Sequence, residues 1–332
     1  MTGRLRLSLA VTANPWVAPI ASGEVTAEGI ELLVTRSDPS ELFWRQLRLG
    51  EFDASEMSLS SFLIARERGV EMVGLPVFPG RRFMHTELYA NAAAKIDGPG
   101  ALAGKRVGVP EYQQTSALWT RGILQHDFGV APESVEWFME RPAERSHGGA
   151  TGFTVPPGIR LRQVPPGRSL DSMLLAGELD AAPAGRARYH LPNAVDPDEP
   201  AAGWDGLRPL FDDVLAEAGR YVAAHGFVPA NNLVVIRGDV YDRHPWVAYN
   251  LYEAFRRAKA LAAGALTRTV AGGLPLGRQF LRQQDAMLGP DPAPYGLPEN
   301  RDMLHELCRF SREQGLTTAP IDIDDLFAAS VR

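Results

Sequence analysis

Apolar and polar residues alternate near the start of the chain. Leu5, Leu7 and Leu9 are separated by Arg6 and Ser8, a period of two that predicts a strand over residues 4–11. The period then changes repeatedly. Residues 30–35 read as a strand. Residues 39–50 read as a helix whose apolar stripe is Leu42, Phe43, Leu47 and Leu49, with Pro39 in the first turn and Asp38 as N-cap. Residues 54–58 form a short strand, 59–68 a helix and 71–77 a strand. Repeated strand–helix units predict an α/β protein with mainly parallel pairing.

The alternation continues. Residues 87–91 read as extended and 105–109 as a strand. A turn and a helix over 115–126 come next, then 161–164 (strand), 169–176 (helix) and 180–184 (strand). Residues 233–237 are a clear apolar strand, and from about 245 onward the pattern is helical. Residues 141–158, rich in Gly, Pro and Arg, and 192–206, with Pro, Asp, Glu and Gly, read as a mobile loop and a surface excursion. The extended segments 87–91 and 231–237 are read as crossings between two lobes. Lobe 1 is then discontinuous, 1–89 plus 232–332 with a helical C-terminal part, and lobe 2 is 90–231. This is a two-lobed, type II periplasmic-binding-protein-like fold, with mixed sheets flanked by helices and a hinge that closes on a small ligand.

Composition narrows the function. The chain has 332 residues, 45% hydrophobic and 22% charged, with net charge −6. Its Lys and Arg are scattered, so no basic nucleic-acid footprint is present. No stretch has the length of a membrane span, and the first apolar run alternates rather than forming the core of a leader. These features predict a cytoplasmic protein with no nucleic-acid or membrane partner, and leave a homo-oligomer open. The single cysteine, Cys308, rules out an intrachain disulfide and reads as a small buried apolar residue. No GxGxxG, Walker A, GxSxG or HExxH motif occurs. His85 and Glu87 are too few for a metal site, and the acidic run Asp322, Asp324, Asp325 reads as a solvated helix start, so neither a metal nor a cofactor is expected.

Four segments carry candidate chemistry. In Gly108–Trp119, a strand leads through a turn into a helix. Free backbone N–H groups at Thr115 and Ser116 would bind an anion. Capping by Thr115 is the plainer alternative, but it leaves the polar turn of Glu111, Tyr112 and Gln113 without a purpose, at a place where α/β proteins bind ligands. In residues 78–86, Arg81 suits bidentate contact with a carboxylate and His85 suits acid–base work. Taken alone, the segment reads rather as a solvated loop with one satisfied histidine, and its place just before the first crossing is what brings the site reading in. In the strand 54–58, Glu56 and Ser58 face a ligand, or Ser58 is a cap and Glu56 a surface group. Asn231 and Asn232, at the second crossing, contact a ligand or form a turn.

The run Gly108 to Trp119, continued by Thr120-Arg121-Gly122-Ile123-Leu124, resembles the signature of the 4,5-dihydroxyphthalate decarboxylase family. Similar too are Val77-Phe78-Pro79 with Arg81, Phe83 and His85, the run Met173–Ala181, and His244-Pro245-Trp246 followed by Leu251-Tyr252-Glu253-Ala254-Phe255 and Lys259. The likeness covers about residues 25–260. It implies the type II binding-protein fold, a cytoplasmic location and cofactor-independent loss of an aromatic carboxylate. Three places depart from the family. An Asp-Arg pair is replaced by the loop Thr12-Ala13-Asn14-Pro15-Trp16, an arginine before the histidine by Met84, and a Met-His pair by Asn231-Asn232.

A hydroxylated aromatic acid needs an acid to protonate the ring carbon and a partner for the phenol. We assign His85 as proton donor, with Glu111 as the alternative. Arg81 and the N–H groups at Thr115 and Ser116 clamp carboxylate, Glu56 or Tyr112 contacts a hydroxyl, and Ser58, Gln113, Asn14 and Asn232 complete the ligand contacts. The departures leave the exact acid open. They also leave open a non-catalytic binding protein or sensor, and a different lyase reaction on a related biosynthetic acid.

Overall fold

The computed structural model describes residues 3–183 and 206–332. It divides into two units. The first is Met1–Arg82, Gly219–Glu306 and Ile321–Arg332, and the second is Phe83–Ala218 and Leu307–Pro320. The described strands are β1 (Leu5–Val11), β2 (Ile30–Arg36), β3 (Ala54–Ser58), β4 (Met72–Leu75), β5 (Leu88–Asn91), β6 (Arg106–Val109), β7 (Glu136–Met139), β8 (Arg160–Gln163), β9 (Ala181–Pro183), β10 (Leu207–Pro209) and β11 (Asn232–Arg237).

In the first unit the sheet order is β2-β1-β3-β11-β4. β1 runs parallel to β2, with Leu5 opposite Ile30, and parallel to β3. β11 lies antiparallel between β3 and β4. Leu7 and Leu9 of β1 are buried, as the alternation predicts, and Val234 and Ile236 of β11 share their core with Val247, Leu251 and Phe255 of the helix Trp246–Gly273. Leu233 to Ile236 are buried without a break, as expected of a central strand covered on both faces. The helix Pro39–Leu49 starts as predicted, with Asp38 accepting from the Ser40 N–H.

The second unit has the order β10-β5-β9-β6-β7-β8, in which β9, β6, β7 and β8 are mutually parallel, β5 pairs antiparallel with β9, and β10 antiparallel with β5. Its helix Thr115–Phe128 is nearly all buried along residues 117–124. At Gly122 an added Cβ would lie 2.1 Å from the Phe310 ring, so only glycine lets that ring seat against the helix. Trp119 meets the same ring edge-on at 5.6 Å.

Several boundaries differ from the sequence reading. Residues 88–91 are a sheet strand of the second unit, and the division falls earlier, between Arg82 and Phe83. Before it, residues 80–82 pair with 229–231, through Asn231 N–H to Gly80 O (2.7 Å) and Arg82 N–H to Pro229 O (3.2 Å). Residues 307–320 belong to the second unit, because Phe310 is held by Gly122 and Trp119. The strands β7 and β10 and the helix Val214–His225 were not expected. The loop 141–158 contains the short helix His147–Thr151, which is tied down by bonds to Glu111. Of the expected excursion 192–206, residues 192–205 lie outside the described residues, as does Ala184 of the expected strand 180–184.

Candidate functional site

In the first unit the chemistry centres on Glu56 in β3. It is fully buried. It accepts from the Thr12 N–H at 3.0 Å, from the Thr12 hydroxyl at 2.9 and 3.1 Å, and from the Asn232 amide at 3.4 Å. All these donors are neutral, and among the described residues Glu56 forms no ion pair. Burial pushes its carboxyl above the usual range, against the pull of those hydrogen bonds. Asn232 also accepts from Asn231 Nδ2 at 2.9 Å, so two amides line up behind the carboxyl. Asn14 is engaged internally: its Nδ2 donates to Pro79 O and its Oδ1 accepts from Trp16 N–H, both at 2.9 Å. Ser58 caps the helix Leu59–Glu67 and lies 3.2 Å from the Ser60 hydroxyl.

Arg81 was expected to clamp a carboxylate. Its guanidinium instead donates to Val228 O (2.8 Å), Pro294 O (3.0 Å) and Asn300 Oδ1, and lies over the Phe78 ring. Burial lowers it to about 10. Three of its donor contacts therefore fasten its own chain.

In the second unit, His85 sits in the turn Met84–Glu87, which packs on the helix Thr115–Phe128. The ring is buried, its Nε2 is 2.8 Å from Glu217 Oε1, and Phe211 meets it edge-on at 5.4 Å. This is the arrangement of an acid–base histidine oriented by a carboxylate. The helix that Thr115 begins has Gln114 at its N-cap, with no side-chain cap bond. Thr115 is therefore the first residue of the helix and not its N-cap. Gln113 and Thr115 are buried and Ser116 is half-buried. Tyr112 stacks on Phe153 at 6.3 Å and lies under the Arg121 guanidinium at 3.7 Å. Its buried hydroxyl has no partner among the described residues, and burial raises its phenol.

Glu111 is also buried, but differently. It takes an ion pair from Arg141, the Ser146 hydroxyl at 2.7 Å and the Gly148 N–H at 2.8 Å, with His147 Nδ1 at 3.9 Å. Burial pushes its carboxyl up, and the charges of Arg141 and His147 with these hydrogen bonds overcome that and hold it below the usual range. As placed, Glu111 is an anion that tethers residues 141–148 to the turn, a poor holder of a proton at neutral pH.

Sequence reasoning missed Glu217, Arg141 and Ser146. Glu217 lies on a helix whose pattern was not read, and the other two lie in a stretch with no hydrophobic period at all. Among the described residues no group of three or more His, Cys, Asp or Glu is placed to hold a metal ion. Cys308 is half-buried and its thiol is pushed up to about 12 by burial, consistent with a packing role.

Over 327 residues the chain is 30% identical to 4,5-dihydroxyphthalate decarboxylase from Comamonas testosteroni, an alignment that covers 98% of this chain and 96% of that relative. The chain belongs to the 4,5-dihydroxyphthalate decarboxylase family. A protein of the same name from Pseudomonas putida is 35% identical over 185 residues, 55% of this chain and 72% of the relative. No family model matches the chain. Among solved structures, the periplasmic aliphatic sulphonate binding protein SsuA from Escherichia coli aligns with TM-score 0.57 at 13% identity, covering 98% of both chains. The Candida albicans CA3427 gene product, described as having the generic periplasmic binding protein fold, aligns with TM-score 0.51 at 11% identity, covering 97% of this chain and 92% of that one. These likenesses establish the α/β, periplasmic-binding-protein-like fold. No helix among the described residues is long and apolar enough to cross a membrane. Within the family, the three departures now have locations: Asn14 braces its own loop, buried Met84 precedes His85, and Asn232 faces Glu56.

Proposed function

We propose that this protein is a carboxy-lyase that releases CO2 from a hydroxylated, phthalate-like aromatic acid without a cofactor. The observation that carries the reading is the buried His85–Glu217 pair at 2.8 Å, in a chain of this family. Nε2 is engaged by Glu217, so proton delivery runs through Nδ1. A ring hydroxyl pushes electrons into the ring, and the imidazolium protonates the carbon that bears the carboxylate. The carbon–carbon bond then breaks, its electron pair restores the aromatic ring, and CO2 departs. Glu217 stabilises the charged imidazole before transfer and fixes its tautomer afterwards. The first turn of the helix Thr115–Phe128 is where we place the carboxylate, at the positive end of the helix. Tyr112 and Gln113, on the turn before it, are the polar groups next in line, and the Glu111–Arg141 pair holds that turn in shape.

The protein would be incubated with 4,5-dihydroxyphthalate and a panel of hydroxylated and unhydroxylated aromatic acids, with CO2 release and thermal shift recorded together. Release from a hydroxylated acid supports the proposal. In His85→Ala, turnover should fall roughly a hundred- to ten-thousand-fold with binding largely kept. Unchanged turnover would remove His85 from the mechanism. A second reading, a binding protein or sensor, is favoured by Asn14 and Asn232, whose amides make internal hydrogen bonds where the family carries ionisable groups. Thermal shift without CO2 is its signature. A cytoplasmic location belongs to the same proposal, and cell fractionation would test it.

A further inference from the structure

The segment from Asp291 to Asn300 lacks regular structure over most of its length, yet it is pinned at many points. Arg81 and Asn300 both donate to Pro294 O at 3.0 Å, and Asn300 also donates to Gly296 O at 2.6 Å. Gly296 N–H reaches Pro76 O at 2.9 Å. The Lys259 ammonium bonds Asp291 at 2.6 and 2.7 Å and Ala293 O at 2.6 Å. At the centre of this brace is Tyr295. Its ring packs on the core of the first unit and lies 4.9 Å from the Lys259 ammonium. Its hydroxyl is buried and has no partner among the described residues. A phenylalanine would fill the same space without a buried polar atom to satisfy.

The brace also gives Arg81 a purpose. It is a positioning residue that holds Pro294 O directly and Gly296 O through the Asn300 side chain, rather than a carboxylate clamp. Of the charged groups acting on the Tyr295 phenol, Glu56 acts most strongly, then Arg81 and Asp291. Burial and Glu56 together push the phenol well up, so it remains a hydrogen-bond donor at neutral pH.

We propose that the Tyr295 hydroxyl is a specificity group that donates a hydrogen bond to a ring-hydroxyl oxygen of the bound aromatic acid. The proposal rests on the aromatic-acid reading above and deepens it, since it names the substituent being recognised. A site built to hydrogen-bond a hydroxyl rejects analogues that lack it.

Tyr295→Phe removes the hydroxyl and keeps the ring. Calorimetric titration with 4,5-dihydroxyphthalate and with phthalate, on the wild-type protein and the variant, separates the outcomes. The wild-type protein should prefer the dihydroxylated acid. The variant should lose about tenfold or more in affinity for it, keep its affinity for phthalate, and melt at the same temperature or higher when unliganded. An unchanged ratio of the two affinities overturns the proposal. So does an equal weakening towards both acids, which would indicate a structural role only. If the wild-type protein binds neither acid, the ligand class itself is wrong and the Tyr295 role falls with it.

Discussion

Glu56 and Glu111 are both buried carboxyls, one in each unit, and their surroundings push them in opposite directions. Glu56 receives only neutral donors, from Thr12 and Asn232, so burial decides and the carboxyl is raised. Glu111 receives a guanidinium as well as neutral donors, so charge decides and the carboxyl is lowered. Burial alone therefore says nothing about which carboxyl can hold a proton. The sign is set by whether a cation comes with it. In this protein the first carboxyl is held by neutral donors within its own unit, and the second fastens a loop.

The comparison can be broken by mutation. The largest effect is expected from Arg141→Met, which leaves Glu111 buried without its cation and should cost about 3–5 kcal/mol, measured by urea unfolding. A loss below about 1 kcal/mol would mean the pair is not the tether described. Glu111→Gln comes next, because it strands Arg141, and should cost about 1–3 kcal/mol. Glu56→Gln should stay within about 1 kcal/mol, since the amide lacks the charge that burial disfavours. Equal costs for the two Gln variants would erase the contrast.

The pH dependence sharpens it. The lowered Glu111 contributes stability that is present above its unfolded value and lost as pH falls through its folded one. The raised Glu56 contributes stability that is present below its unfolded value and lost as pH rises through its folded one. Unfolding free energies across pH should thus lose an acid-side component in Glu111→Gln and an alkaline-side component in Glu56→Gln. A smaller effect is expected from Asn232→His. A protonated imidazole beside Glu56 should lower that carboxyl, readable by carbon NMR of the side chain, and no movement would place Asn232 outside its electrostatic reach.

Much of the fold was legible because hydrophobic period reports burial. The alternation in β1, the unbroken run in β11 and the Asp38–Pro39 start of a helix each have one physical meaning, and the structure carries all three. The segment Leu307–Pro320 was misassigned because its place depends on one ring fitting one glycine, Phe310 on Gly122, and no local pattern encodes a pairing so distant in sequence. The site was legible by residue type more than by partner. Arg81 was noticed as a cation, but two of its acceptors are backbone carbonyls, of Val228 and Pro294, which every sequence supplies and none advertises. Glu217 and Arg141 escaped because a charged residue on an unread helix or in an aperiodic loop looks like ordinary surface.

The central claim is proton delivery to a ring carbon with loss of CO2. It is tested most directly by single turnover of 4,5-dihydroxyphthalate labelled with carbon-13 at both carboxyls, in heavy water. The account predicts labelled CO2 and one deuterium at the vacated ring carbon with the wild-type protein, and neither within the same interval with His85→Ala, which still binds. Tight binding by the wild-type protein with no labelled CO2 would contradict it.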